Sequence, residues 1–483
     1  MRKAKIVCTI GPASDQLETL DRLIEQGMNA ARLNFSHGTH ASHASAIKTV
    51  REAADQRRAP VSIIQDLQGP RIRVGEVVDG GIVLGEGQSI RLQTVLARSG
   101  GQLGHQSVAG STVQEIPVTY QHLARDVRPG ARILINDGLI ELKVEQISGG
   151  HLDCKVLVGG TVTSHKGINL PGTRVSSPTL TDKDREDIRF GVTQGVDYVA
   201  LSFVRGPEDI RAAKQLIATY GGSIPVIAKI ERQEAITCLD AILDEADGVM
   251  IARGDLGVEM GPEAVPLLQK RIIAEANRRR RLVITATQML ESMTQHLRPT
   301  RAEASDVANA VFDGTDAVML SAETAIGAHP VETVQVMDRI IRAAEEGCVP
   351  GVVPKRQSDF GDMTLPEAIC TAASSAASAT KATAIVAFSE LGLTARLISK
   401  QRPAAPIIAF TPFEPVRRQM ALFWGVQPHT MQEIAQTDER VDEAERRLKT
   451  EGLVKSGERI VILSGTSIGK PGGTNLIKLQ EVE

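Results

Sequence analysis

The chain has 483 residues, more than one ordinary hydrophobic core organises, so two or three domains are expected, one of them large. Its formal charge is −3 with acidic and basic residues interspersed, and aromatics make up only 3%, which argues against a basic nucleic-acid footprint or base-stacking platforms and leaves small-molecule chemistry. The cysteines (Cys8, Cys154, Cys238, Cys348 and Cys370) are scattered with no C-x-x-C pair, arguing against structural zinc and fitting packing residues in a reducing compartment.

The opening "MRKAKIVCTIGPAS" is basic and then apolar, but its apolar run is too short for a secretory segment and stops at Gly-Pro. No stretch approaches the ~18 apolar residues of a membrane span, so a cytoplasmic protein is expected. From here eight short apolar, β-branched runs recur, each followed by a turn and a helical pattern: 5–11, 29–35, 61–67, 197–203, 225–231, 248–255, 282–288 and 317–323. That alternation predicts βα units and a parallel sheet. Most runs begin about 22 to 36 residues apart, but about 136 separate the third from the fourth. The expected fold is a (β/α)8 barrel over 1–69 and 169–340, interrupted by an insert.

Between 70 and 168 the pattern changes. "GIVLGEGQSIRLQT", "ARILINDGLIELKVEQI" and "HLDCKVLVGGTVTSHKG" alternate apolar and polar residues between glycine turns, predicting an antiparallel β module that could act as a lid. After about 340 the polar stretch "VVPKRQSDFGDMTLPE" leads to a third unit over 355–483. Its strands "TAIVAFSE", "APIIAFTP", "ERIVILSGT" and "NLIKLQE" alternate with helices, and "AICTAASSAASATKA" reads as helix despite its low complexity.

In such a barrel chemistry sits at the carboxyl ends of the strands, which here carry many polar residues. They are Arg32, Asn34 and Ser36; Asp66; Ser202; Lys229 and Glu231; Arg253 and Asp255; Thr287 and Gln288; Ser321 and Glu323. Any one alone could be a solvated turn residue or a helix N-cap. Glu231 and Asp255 close neighbouring strands, so their carboxylates should lie roughly 5–10 Å apart and repel unless a cation intervenes. Oxygen-only ligands favour Mg²⁺ or Mn²⁺ over zinc. Lys229, two residues before Glu231, points to the same face, where it could pair with a carboxylate or meet a phosphoryl group. Gly254 leaves room for a ligand, and its N–H with that of Asp255 could bind an anion such as a carboxylate. Thr287 could relay a proton through water or cap the next helix. "HGTHASH" places His37, His40 and His43 at metal-like spacing without supporting ligands, and "NRRRR" (277–281) reads as a cationic helix end rather than an RNA site.

The motifs "KIVCTIGPAS", "GMNAARLNFSHG", "KGINLPG", "AKIE", "MIARGDLGVE", "ATQMLESM", "PTRAEASDVANAVFDGTDAVMLSAETA" and "GGTNLIK" resemble, in order along essentially the whole chain, those of the pyruvate kinase family. The resemblance implies a barrel A domain, a β-rich B lid, a C domain carrying an effector site, and a homotetramer. It implies phosphoryl transfer from phosphoenolpyruvate to ADP, giving pyruvate and ATP. Carried over, Glu231 and Asp255 would hold Mg²⁺, the Gly254 and Asp255 amides the substrate carboxylate, and Lys229 and Arg32 the phosphoryl group. Ser202 would line the phosphoryl site and Thr287 would serve protonation of the enolate. Pro12, Asn34, His37, Arg73, Asp137 and Lys166 would border the nucleotide. A monovalent cation would sit among Asn34, Ser36, Asp66 and Leu67.

Two departures matter. "DLQGPRIR" (66–73) puts Arg71 where the potassium-dependent pattern has Glu, and its fixed charge predicts activity without K⁺. "FSELGLTAR" (388–396) resembles the loop that cradles an effector phosphate, here Ser389, Glu390, Leu391, Gly392, Leu393 and Thr394, with "SGTSIGKPGGTN" (464–475) covering it; Leu391 stands where bacterial relatives usually have Ser. A sugar phosphate or AMP-type effector is the expectation, with a subunit contact as the alternative. "SAETAIG" also departs from the family pattern at Ala322 and Ile326. Two other functions fit part of the pattern: a Mg²⁺-dependent lyase or decarboxylase of 2-oxo acids, which would need neither a nucleotide lid nor Lys229 facing a phosphoryl group, and a silent sugar-phosphate sensor, against which the intact Lys229, Glu231, Asp255 and Thr287 argue.

Overall fold

The computed structural model describes residues 2–77, 80–94, 113–347, 363–434, 436–465 and 473–483. All eight expected runs form strands: β1 (Lys5–Thr9), β2 (Met28–Asn34), β3 (Ser62–Asp66), β4 (Tyr198–Leu201), β5 (Val226–Ile230), β6 (Gly248–Ala252), β7 (Leu282–Ala286) and β8 (Ala317–Leu320). They pair in parallel in sequential order, and β8 closes on β1. Their runs are continuous rather than alternating because both faces are covered: Val7, Ile64, Ile227, Met250, Ile284 and Met319 fill the barrel, while Ile6, Ile63, Val226, Val249 and Val283 face the helices.

Local chemistry places the helix ends. Thr181 caps the helix Asp182–Gln194 by accepting from Asp184 N–H, and Gly195, at φ 66°, ends it. Thr300 and Glu303 form a capping box for Arg301–Asp313, which ends at Gly314 with φ 94°. Gly11 lies so near the eighth βα turn that a Cβ there would come 2.6 Å from the Ala325 carbonyl oxygen.

The insert between β3 and β4 is β-rich with its own core, including Ile90, Leu92, Ile116, Ile133, Leu142 and Val156. It departs from the expected all-antiparallel pattern in two ways. Leu123–Asp126 is a short helix, and Ser89–Thr94 pairs in parallel with Gln114–Val118. The sequence between those two strands is long enough for the crossover a parallel pair requires; residues 95–112 themselves lie outside the described set.

The C-terminal sheet has five strands where four are expected. β9 (Ala384–Phe388), β10 (Ile407–Thr411), β11 (Val426–Thr430), β12 (Arg459–Gly465) and β13 (Thr474–Glu481) lie in the order β11-β10-β9-β12-β13, with β13 antiparallel. The unexpected strand, β11, reads "VQPHT"; its Pro428 is tolerated because β11 is an edge. The Ala/Ser-rich stretch is the helix Leu365–Thr380, whereas most of the polar stretch before it, with Cys348, lies outside the described residues. This unit also closes the foot of the barrel: Leu422 packs among the barrel-interior side chains, and Arg418 pairs with Asp197 at the start of β4.

Cys8, Cys154 and Cys370 are buried, and burial pushes the Cys154 and Cys370 thiols up to about 12. Among the described residues no helix is long and apolar enough to cross a membrane.

Candidate active site

The carboxyl ends of the strands converge on one buried ammonium. Lys229, on β5 and 6% exposed, lies 2.9 Å from Glu231 Oε1 and 3.1 Å from Asp66 Oδ1, and donates to Ser202 Oγ at 2.7 Å. Ser202 in turn donates to the Leu67 carbonyl at 2.7 Å. Asp66 also receives Arg32, whose Nε and Nη2 both lie 2.6 Å from Oδ2, while Arg32 Nη1 donates to Thr9 Oγ1. Glu231 Oε2 accepts the Phe203 N–H at 2.7 Å.

Burial alone would lower the Lys229 ammonium, but Asp66 and Glu231 hold it above its ordinary value. Burial would raise Asp66, and Lys229 and Arg32 outweigh it, so that carboxyl sits low. Glu231 differs. Burial pushes it up and the neighbouring Asp255 charge adds to this, against the pull of Lys229. Glu231 therefore faces, beside Asp255, a place where a cation would favour its ionised form. Hard oxygen donors, two from protein and the rest left to water and substrate, suit Mg²⁺ or Mn²⁺. Among the described residues no set of three or more His, Cys, Asp or Glu gathers as an all-protein cage.

Gly254 and Asp255 lie in the first turn of the helix Arg253–Met260, where backbone N–H groups lack intrahelical acceptors. The Gly254 N–H donates to Thr287 Oγ1 at 2.8 Å, and that hydroxyl donates to the Ala286 carbonyl at 2.6 Å. A Cβ on Gly254 would meet only Thr287, at 3.6 Å, so beside this residue the Thr287 side chain is the nearest neighbour. Thr287 does not cap a helix; it has φ 70° and forms part of a turn. Glu323, fully buried, braces the same loop by accepting from Leu290 N–H at 3.1 Å and Ser321 N–H at 2.6 Å. Ala322 opens the short helix Ala322–Ala325, and Ile326 is 66% exposed.

Asn34 stands opposite Asp66 in register, and its Oδ1 accepts the Ser36 N–H. The Leu67 carbonyl faces the same cluster through Ser202. Pro12 and His37 are exposed at the rim. Burial and the charges of Arg71, Arg73 and Arg32 lower the His37 imidazole below its ordinary value. Arg73 donates to the His165 carbonyl, and Lys166 accepts Val74 N–H through its carbonyl, so both belong to the lid. A cleft between lid and barrel is lined by Arg71, Asp137, Arg205, Arg232 and Asp255. His40 and His43 are engaged elsewhere: His40 pairs with Asp187 at 2.7 Å, and His43 contacts the His37 carbonyl and stacks on Phe35. The arginine run pairs with acids, Arg279 with Asp240, Asp244 and Glu275, and Arg280 with Glu367.

Sequence reasoning missed Arg205 and Arg232. Arg205 donates to the Val175 carbonyl and Thr179 Oγ1, and Arg232 to the Thr173 carbonyl while pairing with Glu259. Both pin the connection that returns from the lid to the barrel mouth. Their signal was present as a basic residue four residues beyond the end of β4 and two beyond the end of β5.

In the C-terminal unit a cavity of about 230 Å³ is lined by Ser389, Glu390, Leu391, Leu393, Thr394 and Arg440, among others. Ser389 Oγ accepts the Thr394 N–H, and the Thr394 and Thr474 hydroxyls lie 2.6 Å apart. Gly392, at φ 79°, turns the chain into the next helix, and Leu391 is 60% exposed. Most of the expected covering loop, 466–472, lies outside the described residues.

The chain matches the family model for the pyruvate kinase barrel domain over residues 1–334 and that for the pyruvate kinase alpha/beta domain over 367–480. It is 46% identical to pyruvate kinase 2 of Synechocystis sp. and 45% identical to pyruvate kinase of Geobacillus stearothermophilus, in each case over 100% of this chain and 80% of the relative. Pyruvate kinase of Clostridium perfringens is 41% identical, with both chains covered in full. The crystal structure of a pyruvate kinase from Cryptosporidium parvum superposes with a TM-score of 0.90 at 39% identity, over 100% of this chain and 96% of that one.

Proposed function

The chain belongs to the pyruvate kinase family, the phosphotransferases of glycolysis that convert phosphoenolpyruvate and ADP to pyruvate and ATP and generally use Mg²⁺ and K⁺, and from that footing we propose how its own residues divide the work. Lys229 and Arg32 compensate the charge on the transferring phosphoryl group, with Ser202 orienting the ammonium. The Gly254 and Asp255 amides, at a helix start, take the substrate carboxylate. Glu231 and Asp255 would hold the divalent cation, which would supply positive charge to offset that of the substrate oxygens. Thr287 stands by the water that protonates the enolate once the phosphoryl group has left. Phosphoryl transfer needs positioning and charge compensation more than covalent help, and this site consists of fixed charges and aimed N–H groups.

The observation that carries this reading is the buried Lys229, wedged between Asp66 and Glu231 at the barrel mouth. Pro12, Asn34, His37, Arg73, Asp137 and Lys166 border the nucleotide, and the segment 70–168 closes over it from the barrel (1–69 and 169–340). Asn34, Ser36, Asp66 and Leu67 form the monovalent-cation position, with Arg71 making K⁺ dispensable. The unit 355–483 carries an effector site for a sugar phosphate or an AMP-type nucleotide at Ser389–Thr394, and the enzyme works as a cytoplasmic homotetramer. The assignment is tested by ADP-dependent turnover of phosphoenolpyruvate against Mg²⁺ concentration. Glu231→Gln and Asp255→Asn should each shift the Mg²⁺ midpoint upward by at least about tenfold, in line with loss of a first ligand. An unchanged midpoint in both overturns the metal assignment.

A further inference from the structure

The turn after β7 has backbone that its own sequence does not call for. Thr287 and Gln288 lie consecutively in the left-handed region, at φ 70° and 54°, and neither is glycine. For a β-branched residue this is a true outlier, kept only where surroundings over-determine it. Those surroundings are largely one side chain. Arg253, 8% exposed, opens the helix after β6 and turns its guanidinium back under the turn. Nη2 donates to the Thr287 carbonyl at 2.7 Å and to the Gln288 carbonyl at 3.4 Å, and Nε reaches the Ala286 and Thr287 carbonyls at 3.3 Å each. Nη1 is anchored by Asp306 at 2.7 Å and Gln269 Oε1 at 3.2 Å. On the opposite side the Thr287 hydroxyl meets the N–H of the next residue along, Gly254. The turn is thus gripped from behind by residue 253 and from in front by residue 254.

We propose that Arg253 is a positioning residue for proton delivery: it holds the Thr287–Gln288 turn in its left-handed form, so that the Thr287 hydroxyl stays at the substrate carboxylate site. The planar fork suits this task because several carbonyls must be served at once, which a lysine ammonium on a flexible stem does poorly. Asp306 sets the plane of the fork. Arg253 acts through the turn and not through the substrate. The inference rests on the assignment of Thr287 to the protonation step.

The test is a double-mutant cycle on the full-length protein with Arg253→Met, Thr287→Ala and the pair, together with Arg253→Lys and Asp306→Asn. Arg253→Met should lower kcat by about 10²-fold, the loss typical of a misplaced group, while KM for phosphoenolpyruvate moves far less. Exchange of pyruvate methyl hydrogens with deuterated water, the reverse of protonation, should fall in parallel. Arg253→Lys should recover about a tenth of the lost rate, and Asp306→Asn should lie between Lys and wild type. Because the two residues act as a unit, the pair should be no worse than about threefold below the poorer single variant. Amide hydrogen exchange over 286–290, measured without metal or substrate, should speed up in Arg253→Met. Multiplicative losses in the double mutant, or unchanged amide exchange, overturn the positioning role. If Arg253→Met does not fold, the cycle is run with Arg253→Lys, and the same two outcomes decide. Full activity in Thr287→Ala overturns instead the assignment of Thr287, a result distinct from either of these.

Discussion

Replacing Lys229 with methionine separates the catalytic from the structural use of one buried charge. The stem is kept and the ammonium removed. Asp66 keeps both contacts from Arg32, so it stays ionised. Glu231 loses the ion pair at 2.9 Å and keeps the Phe203 N–H on its other oxygen. Its carboxyl is already pushed up by burial and by Asp255, and losing Lys229 removes the charge that pulls it down, so the variant pushes it up further. Removing one partner of a buried pair costs about 3–5 kcal/mol of folding stability, expected here at pH 7. The sign follows from proton linkage: the variant's folded state holds a proton that the unfolded chain lacks above pH 4.5, so stability declines as pH rises. The deficit should therefore shrink from pH 7 to pH 5. Catalysis should suffer more, since removing a cation from a transferring phosphoryl group lowers kcat about 10³–10⁵-fold, or about 4–7 kcal/mol. Denaturant unfolding at pH 5 and 7 measures the first effect, and turnover at saturating Mg²⁺ the second. A deficit equal at the two pH values, or turnover within tenfold of wild type, refutes the reasoning.

Lys5, at the foot of the barrel, is fully enclosed, and burial, helped by Arg2, lowers its ammonium to about 7, with the Val426 carbonyl as its acceptor at 2.7 Å. The folded state resists protonation that the unfolded chain accepts up to 10.5, so Lys5→Met should stabilise by about 2–4 kcal/mol at pH 7 and below, after allowing for the orphaned carbonyl. That gain should fade between pH 7 and 10.5 in urea unfolding, and a pH-independent difference would count against it. Turnover should persist when K⁺ is replaced by tetramethylammonium, and Arg71→Glu should make it K⁺-dependent; a collapse of the wild-type rate removes the role given to Arg71. A sugar phosphate or AMP that fills the C-terminal cavity should raise the melting temperature and change the phosphoenolpyruvate KM. Arg440→Ala should weaken that ligand about tenfold or more, as expected for loss of a charge-assisted contact, and an unaltered response in the variant would place the ligand elsewhere.

The barrel was legible because strands buried on both faces leave unbroken apolar runs, and because a (β/α)8 fold puts its chemistry in the few residues after each run. Lys229, Glu231 and Asp255 could be read from position alone. What escaped depended on contacts distant in sequence. Nothing in "ATQM" asks for two left-handed residues; Arg253 and Glu323 impose them. β11 hid behind a proline and a histidine, and the parallel pair in the insert behind a connection whose course no local pattern reveals. Leu422 enters the barrel floor from the C-terminal unit. The acids show the same limit from the other side. Asp197 and Asp316 directly precede β4 and β8, and by residue type they look as reactive as Asp255. They sit at the opposite, amino-terminal end, where Asp197 is matched by Arg51 and Arg418, and Asp316 by Lys400 and Arg402. Three of these four cations come from the C-terminal unit, so the same residue type that serves ligands at one end of the barrel bolts two domains together at the other. Which end an acid occupies, and whether the protein already supplies its cation, decides between the two uses. Asp197 and Asp316 each have two protein cations in contact, whereas Glu231 has only Lys229, which Asp66 also claims, and its carboxyl is still pushed up by the neighbouring Asp255 charge that a bound metal would offset.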